Sequence, residues 1–372
     1  MIYLDNNAMA FPERGLLEFL FKLFGQENLY ANPSSIHSFG KRSSQLILET
    51  TTWIQQVLSF RGRVLYTSGA TESLNLAIAN LSQGSHVITS SMEHPAIIEP
   101  LKQARLSVSY LDPEEGECCL NCEQIEEVLK PETSAIVLGW VNSELGSKTD
   151  IASIAQLAQK HQLQFIVDAT AIIGKERIVL PPGVTIAAFS GHKFHALPGI
   201  GVLLIDPRTK LSPIFFGGGQ QQGLRSGTEN LWGIASLLYV FRYLDSHQEE
   251  ITQQILSYRN AFEIGLKTRI PNIVIHCEEK PRVNNVSAIA FPPLEGEVVQ
   301  IALDREGIAC SYGSACFSGA TAPLKSLVGM NIPEELVAST VRFSFSHLLS
   351  LKAINEIIPV IEKVISHLRS PW

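Results

Sequence analysis

Short apolar runs alternate with amphipathic segments between positions 64 and 205, and this alternation constrains the fold more than any other feature of the chain. Each run is short enough for a strand and apolar enough to be buried on both faces. The runs occupy 64–67, 86–89, 135–141, 165–168, 185–190 and 201–205. The segments between them predict helices at 71–80, 95–104, 124–130 and 150–161. Strands and helices in alternation predict an α/β fold with a mostly parallel sheet that helices cover on both faces.

The pattern changes after Gly219 to longer amphipathic segments. Two long helices are predicted at 231–245 and 249–269. A smaller α+β unit follows them, with strands at 286–291 and 340–344 and helices at 297–305 and 351–368. No repeat, low-complexity tract or long linker interrupts the chain.

Composition narrows the classes of function. The chain has 372 residues and a net charge of -7, so a basic face for DNA or RNA is not expected. No apolar stretch reaches the roughly 18 residues that a membrane span needs, and the first residues lack a signal-peptide pattern. We therefore expect a soluble, cytoplasmic protein. The 6 cysteines are too few for a disulfide scaffold and are expected to be reduced.

Polar residues follow several of the predicted strands at the point where each strand ends. Because the carboxyl ends of parallel strands meet at one edge of a sheet, these residues should converge on a single crevice. They are Gly69-Ala70-Thr71, Glu93-His94, Asn142, Asp168 and Ser190-Gly191-His192-Lys193.

Lys193 lies in an apolar, glycine-bounded turn directly after a buried strand. Burial disfavours the ammonium form and lowers a lysine pKa, and a neutral amine is the form that reacts with carbonyl groups. The ordinary alternative is a solvated loop lysine. Asp168 ends a strand that is otherwise apolar, where a lone carboxylate is costly unless it is paired. Thr71 and the N–H groups around Ala70 begin a helix and suit a phosphate, although such residues also serve simply as helix caps.

Two residues of the C-terminal half also have the chemistry of a site. Arg342 is a lone cation in a strand-like run, where its two-pronged guanidinium suits an amino acid carboxylate. Cys316 lies in a small, polar, glycine-rich segment, which predicts a mobile and reactive thiol, whereas Cys310 is expected to be a core residue. Cys119 and Cys122 belong to a Cys-x-x-Cys spacing, but no second pair or histidine completes a metal site.

These motifs, in this order, resemble the fold type I pyridoxal phosphate enzymes and, within them, the cysteine desulfurases of the nitrogen-fixation type. The resemblance covers nearly the whole chain, and its motifs are Asn32-Pro33-Ser34-Ser35-Ile36-His37, Ser190-Gly191-His192-Lys193, Arg225-Ser226-Gly227-Thr228 and Ser314-Ala315-Cys316. It implies pyridoxal 5'-phosphate as cofactor, a large domain at 13–255, and a small domain formed by 1–12 with 256–372. The segment after Cys316 resembles the long-loop class and is about two residues short of it.

The resemblance also implies a role for each matching residue. Lys193 would attach the cofactor and move protons, Cys316 would be the sulfur nucleophile, and His94 would stack on the cofactor ring and carry protons. Asn142 and Arg342 would bind the substrate. Thr228 would reach the phosphate in the neighbouring subunit, which implies a homodimer with shared sites. The cofactor-binding set is Ala70, Thr71, His94, Asn142, Asp168, Ser190, His192, Lys193 and Thr228.

The activity that follows is conversion of L-cysteine to L-alanine with sulfur left as a persulfide on Cys316. An iron-sulfur scaffold protein is the sulfur acceptor that the resemblance implies. The alternatives are a selenocysteine lyase or another β-eliminating enzyme of this fold, and a non-catalytic relative that acts as a binding partner. Two departures from the family pattern motivate the last alternative. Ala171 replaces a glutamine that donates to the cofactor's phenolic oxygen, and Met9-Ala10 replaces a pair of threonines.

Overall fold

The computed structural model describes residues 1–313 and 324–370. Its largest element is a seven-stranded sheet with the order β2-β8-β7-β6-β5-β3-β4, in which only β8 runs antiparallel to its neighbours. These strands are β2 (Arg63–Thr67), β3 (His86–Ser90), β4 (Ser107–Leu111), β5 (Thr133–Gly139), β6 (Gln164–Asp168), β7 (Ile186–Ser190) and β8 (Gly201–Ile205). The predicted α/β class and mostly parallel sheet are confirmed. The predicted strands all form, with shifts of one or two residues at their ends, and β4 is an additional edge strand.

Helices cover both faces of this sheet. They are α1 (Leu16–Leu20), which continues as a π-helical segment (Phe21–Gln26), α2 (Ser38–Val57), α3 (Ala70–Ala79), α4 (Pro95–Gln103), α5 (Cys122–Glu127) and α6 (Ile151–Lys160). Asp150 caps α6 by accepting a hydrogen bond from the Ser153 N–H, and the apolar stripe of this helix is buried. Helix α2 was not evident from the sequence, because its buried face includes small or polar residues such as Gly40, Ser43 and Thr50.

Residues 231–269 form one helix, α7 (Leu231–Arg269), where the sequence predicted two. The prediction was wrong because the polar stretch between the two apolar segments contains no glycine or proline, so nothing ends the helix there. Gln248, within that stretch, is buried and packs as part of the helix. The domain boundary predicted at 255 lies inside α7, and the two-domain division stays a prediction.

The C-terminal part is a smaller α+β unit. Its four-stranded antiparallel sheet has the order β12-β13-β10-β9. The elements are β9 (Val274–Ile275), β10 (Val286–Ala290), α8 (Gly296–Arg305), β11 (Ile308–Ala309), β12 (Ser311–Tyr312), α9 (Lys325–Gly329), α10 (Glu334–Ala338), β13 (Thr340–Ser344) and α11 (Leu351–Arg369). Strand β1 (Ile2–Tyr3) pairs in parallel with β11, so the first residues of the chain pack against this unit. Within 1–313 and 324–370, no helix has both the length and the hydrophobicity to cross a bilayer.

Candidate active site

A cavity of about 470 Å³ lies at the carboxyl edge of the seven-stranded sheet, a size typical of small-molecule sites. Its lining residues lie at or just after the ends of β3, β5, β6 and β7, at the start of α3, in the segment 7–9 and in β13. The structure brings most of the predicted site residues to its wall: Ala70, Thr71, His94, Asn142, Asp168, Ser190, His192, Lys193 and Arg342. The predicted convergence at one sheet edge is therefore what the fold produces.

Lys193 ends a single 3-10 turn, Gly191–Lys193, that follows β7 directly. Its Nζ donates to the carbonyl oxygen of Asn7 at 2.6 Å and to that of Ala8 at 2.9 Å. The main-chain N–H of Asn7 in turn donates to the Ser344 hydroxyl at 2.9 Å. The Lys193 amine is thus held at the cavity wall by the N-terminal segment, which β13 fixes in place.

Asp168 is the last residue of β6, and its Oδ1 accepts a hydrogen bond from the Thr170 N–H at 2.9 Å. This bond orients the Asp168 carboxylate at the carboxyl end of β6, where the residue lines the cavity. The carboxylate charge of Asp168 also acts on a second acid, Glu93, which the same cavity contains.

Glu93 is a cavity residue whose role sequence reasoning left unassigned, although the Glu93-His94 pair itself was singled out. Its pKa is raised from the usual value of 4.5 to about 8, mainly by burial and also by the nearby Asp168 carboxylate, while a hydrogen bond from the Gly139 main chain opposes the shift. A Cβ at Gly139 would lie only 2.9 Å from the Glu93 carboxyl, so the carboxyl packs directly on that glycine. At neutral pH the Glu93 carboxyl is therefore largely protonated.

The start of α3 packs closely on β7 and β8. Ser190 Oγ accepts a hydrogen bond from the Ala70 N–H at 2.7 Å. A Cβ at Gly201 would meet the main chain of Gly69 at 2.4 Å, so only glycine allows this approach. The contact places Thr71, which is exposed, and the helix N-terminus at the edge of the cavity, where N–H groups and the helix dipole favour an anion.

The two histidines of the cavity are held differently. His94 caps α4, because its Nδ1 accepts a hydrogen bond from the Ala96 N–H at 3.0 Å, which leaves Nε2 as the protonated nitrogen of the neutral ring. The pKa of His192 is lowered from 6.5 to about 4, mainly by burial and also by the positive charge of Lys193. His192 is therefore neutral at pH 7.

Arg342 is buried and is already bonded on two sides. Its Nη2 donates to Asp5 Oδ1 and to Ser311 Oγ, both at 3.0 Å, and its Nη1 donates to the Ser143 carbonyl at 3.2 Å. Its Nε is buried and has no hydrogen-bond partner within the described part of the chain. Arg342 also lines the cavity, so its guanidinium charge favours an anionic ligand there.

Asn142 organises the loop after β5. Its Oδ1 accepts from the N–H groups of Glu144 and Leu145, each at 3.0 Å, and its Nδ2 donates to Ser326 Oγ at 2.7 Å. The side chain therefore connects the sheet edge to α9 while it lines the cavity.

The structure also adds Lys175 to the cavity, a residue that sequence reasoning missed. The available signal was a lysine in the apolar stretch Ile172-Ile173-Gly174-Lys175. Thr228 is a predicted site residue that is not among the described residues lining the cavity. It is exposed and belongs to the segment that Arg225 fixes through its 2.9 Å ion pair with Glu72. Cys316 lies outside the described residues.

The expectation that all cysteines are reduced is wrong for two of them. Cys118 and Cys277 form a disulfide that joins residues 159 apart in sequence, with a Cα–Cα distance of 6.4 Å. The sequence gives no signal of it, because only the fold brings the loop after β4 beside the end of β9. Cys119, Cys122 and Cys310 are free thiols, and in the described ranges no group of three or more His, Cys, Asp or Glu is placed to hold a metal ion.

Comparison with known proteins gives a consistent set of relatives. The family model described as aminotransferase class-V matches residues 2–356. The cysteine desulfurase IscS of Dictyoglomus turgidum is 30% identical over 99% of this chain and 95% of its own length. The cysteine desulfurase NifS of Azotobacter vinelandii is 30% identical over 99% of this chain and 94% of its own. Among solved structures, a NifS-like protein from Rickettsia africae is 28% identical with a TM-score of 0.89, covering 98% of this chain and 99% of its own.

Proposed function

The chain belongs to the class-V aminotransferase family and, within it, to the cysteine desulfurases, and on this premise we propose that it converts L-cysteine to L-alanine and transfers the sulfur to Cys316. The observation that carries the proposal is the meeting of the Lys193 amine, the Asp168 carboxylate and the Arg342 guanidinium at one cavity. Together these groups can hold a carbonyl cofactor and an amino acid at the same time.

The residues present fit pyridoxal 5'-phosphate. Lys193 supplies an amine for covalent attachment, and Asp168 supplies a carboxylate for the ring nitrogen. Ser190, His192 and the N-terminus of α3, with Ala70 and Thr71, supply neutral donors and a positive dipole end for the phosphate. His94 and Asn142 would contact the ring. When bound, the cofactor withdraws electrons from the substrate Cα, which makes the Cα proton acidic.

Each of these residues then has a separate role in the reaction. The Arg342 guanidinium is a buried cation at the cavity wall and would bind the substrate carboxylate. The Lys193 amine takes the Cα proton, and His94 carries a proton to the product. The Cys316 thiolate attacks the cysteine sulfur, so the substrate C–S bond breaks and a Cys316 S–S bond forms. L-cysteine and one thiol thereby give L-alanine and one persulfide, with no other reductant or oxidant.

We also propose that two chains form a homodimer in which Thr228 reaches the phosphate site of the partner. The support is that Thr228 is exposed and does not line the cavity of its own chain, while its segment is fixed by Arg225. The persulfide would then pass to an acceptor protein, for which an iron-sulfur scaffold is our proposal. A Thr228→Val variant that keeps its dimeric size but binds the cofactor more weakly would support the shared site.

The test of the proposed activity is single-turnover reaction with L-cysteine, followed by alanine quantitation and mass spectrometry of the Cys316 peptide. The native protein should form alanine and gain one sulfur atom on Cys316. Cys316→Ala should retain the cofactor absorbance yet form neither product, and Cys122→Ser, which changes a thiol outside the cavity, should behave like the native protein. Lys193→Ala should lose covalent cofactor.

Three results would contradict the proposal. Formation of pyruvate, ammonia and sulfide from L-cysteine by Cys316→Ala would indicate simple β-elimination. A native protein that prefers selenocysteine by a wide margin would indicate a lyase. A protein that binds no cofactor under any condition would indicate a non-catalytic relative.

A further inference from the structure

Asn7 connects two groups of the cavity by hydrogen bonds, the Lys193 amine and the Arg342 guanidinium. Only 7% of Asn7 is exposed, and it lines the cavity. Its main chain contacts the first group, because its carbonyl oxygen accepts from Lys193 Nζ at 2.6 Å. Its side chain leads to the second group through the Ser143 carbonyl oxygen. One residue therefore contacts the amine directly and the guanidinium through a single shared acceptor.

The shared acceptor fixes how the Asn7 amide is oriented. The Ser143 carbonyl oxygen accepts from Asn7 Nδ2 at 2.9 Å and from Arg342 Nη1 at 3.2 Å. Two hydrogen bonds use both lone pairs of a carbonyl oxygen. Because a carbonyl oxygen can only accept, the nitrogen of the Asn7 amide must face Ser143. The position of this carbonyl, and with it that of Arg342 Nη1, depends on the Asn7 side chain.

Asn7 is itself fixed to the antiparallel sheet. Its Oδ1 accepts from Asn285 Nδ2 at 2.9 Å, and Asn285 is completely buried just before β10. Its main-chain N–H donates to the hydroxyl of Ser344, the last residue of β13, at 2.9 Å. Ser143 belongs to the loop after β5 of the seven-stranded sheet. Asn7 thus joins the smaller sheet to the edge of the larger one, and a buried network whose bonds are made holds its members in one arrangement.

The spacing of the two connected groups matters for the choice of substrate. In an α-amino acid the amine and the carboxylate are attached to one carbon, so the distance between them is narrowly limited. A site that binds both groups must hold its own contact groups at the matching separation. In this cavity Asn7 connects the residue proposed to mark the amine position, Lys193, with the residue proposed to bind the carboxylate, Arg342.

We propose that Asn7 is a positioning residue that fixes the Arg342 guanidinium relative to the Lys193 amine and so makes the site selective for amino acids with an α-carboxylate. The inference rests on the proposed function, which assigns Lys193 and Arg342 their roles. The contact of Asn7 with Lys193 is made by the main chain, whereas its contact with Ser143 is made by the side chain. A side-chain substitution therefore changes the connection to Arg342 and keeps the carbonyl that accepts from Lys193.

The test measures equilibrium binding rather than turnover. Full-length protein loaded with pyridoxal 5'-phosphate is titrated calorimetrically with L-alanine, the proposed product, and with L-alaninamide, which has the same amine but no carboxylate. The dissociation constant of L-alaninamide divided by that of L-alanine is the carboxylate preference. Asn7→Ala should lower this preference about tenfold, the effect of losing one hydrogen bond that positions the guanidinium. Its affinity for L-alaninamide should be unchanged, because the main-chain contact with Lys193 is kept.

Asn6→Ala is the matched control. Asn6 is the neighbouring buried asparagine, and its Nδ2 donates to the Ser344 carbonyl at 2.8 Å. It is not among the described residues that line the cavity. The substitution weakens the attachment of the same segment to β13, so it should lower the thermal unfolding midpoint but keep the native carboxylate preference.

A second variant, Asn7→Asp, replaces Asn7→Ala if that protein does not fold by circular dichroism. It keeps the size of the side chain and an acceptor for Asn285, but it places an oxygen against the Ser143 carbonyl. It should lower the carboxylate preference at least as much. A native preference in folded Asn7→Ala or Asn7→Asp would overturn the inference, as would an equal loss in Asn6→Ala. A native protein that does not prefer L-alanine over L-alaninamide would instead overturn the proposed function, because Arg342 would then not bind the carboxylate.

Discussion

The guanidinium of Arg342 donates a hydrogen bond to the Asp5 carboxylate at 3.0 Å, across a sequence separation of 337 residues. Ser311 joins this pair, since its hydroxyl donates to Asp5 Oδ1 at 2.6 Å and accepts from Arg342 at 3.0 Å. The contacts hold the guanidinium in place at the wall of the cavity. Asp5 thus orients a residue that we propose to bind substrate, without contacting the substrate itself.

Asp5→Asn should therefore weaken substrate binding more than it slows chemistry. Losing a charge-assisted bond of about 1.5 to 3 kcal/mol corresponds to a KM for cysteine about 10- to 100-fold higher, with kcat nearly unchanged. Arg342→Lys should raise KM at least as much, because a lysine ammonium cannot form the paired, planar hydrogen bonds of a guanidinium. Steady-state kinetics check both variants. Arg269→Lys, which alters an exposed pair with Glu362, is the matched control, and a fall in kcat alone for Asp5→Asn would contradict the orientation argument.

The sheet was predictable because its strands are continuous apolar runs, and the site was predictable because polar residues such as Asp168 and Lys193 end those runs. What the sequence could not reveal depends on contacts between distant segments. Nothing near Asp5 in the sequence indicates that Arg342 is its partner. Nothing near Lys175 indicates that it donates to the Lys193 carbonyl. The same holds for the Cys118–Cys277 disulfide, since pairing of cysteines 159 residues apart follows only from the fold.

Ala171 lines the cavity beside Thr170, whose hydroxyl is buried without a hydrogen-bond partner in the described parts of the chain. Ala171→Gln should restore a donor to the cofactor's phenolic oxygen and favour its anionic form. The pH midpoint of the visible absorbance band should then fall by about one unit, and turnover at neutral pH should rise. Spectrophotometric titration and cysteine turnover measure these effects, with Ala171→Leu as a control of similar bulk without the amide. Coincident titrations and equal rates would show that Thr170 or Asn142 already supplies the donor.

Glu93 should make stability depend on pH. Its pKa is 4.5 in the unfolded chain and about 8 in the folded protein, so between these values folding binds a proton and the free energy of unfolding falls as pH rises. One such group contributes a slope of at most about 1.4 kcal/mol per pH unit, with no contribution below about 4.5 and no further change above about 8. Glu93→Gln resembles the protonated form and should remove this slope.

Urea unfolding at several pH values gives the free energy of unfolding of Glu93→Gln minus that of the native protein. This difference isolates the contribution of Glu93 from that of the histidines. Glu249→Gln, at an exposed position of α7, is the control. A difference that stays constant from pH 5 to 9 would show that Glu93 is ionised throughout that range.

The Cys118–Cys277 disulfide should stabilise the fold by about 2 to 5 kcal/mol, because it closes a long loop in the unfolded chain. Cys277→Ser should lower the thermal midpoint by several degrees, and a phosphine reductant should do the same to the native protein but not to the variant. Cys122→Ser should unfold like the native protein, because its thiol is free. Peptide mapping without reduction provides the direct check. Alkylation of all 6 cysteines in denatured, unreduced protein would show that the bond is absent in solution.

Helix α7 connects the part of the chain that contains the seven-stranded sheet to the C-terminal unit. Its 39 residues extend about 58 Å as a single rod. The N-terminal half is tied to α2 by the Arg242–Glu49 ion pair, and the C-terminal half is tied to α11 by Arg269 and Glu362 at 2.9 Å. Separating the sheet from the C-terminal unit would therefore require breaking main-chain hydrogen bonds within the rod. We therefore expect the two parts to unfold together rather than one after the other.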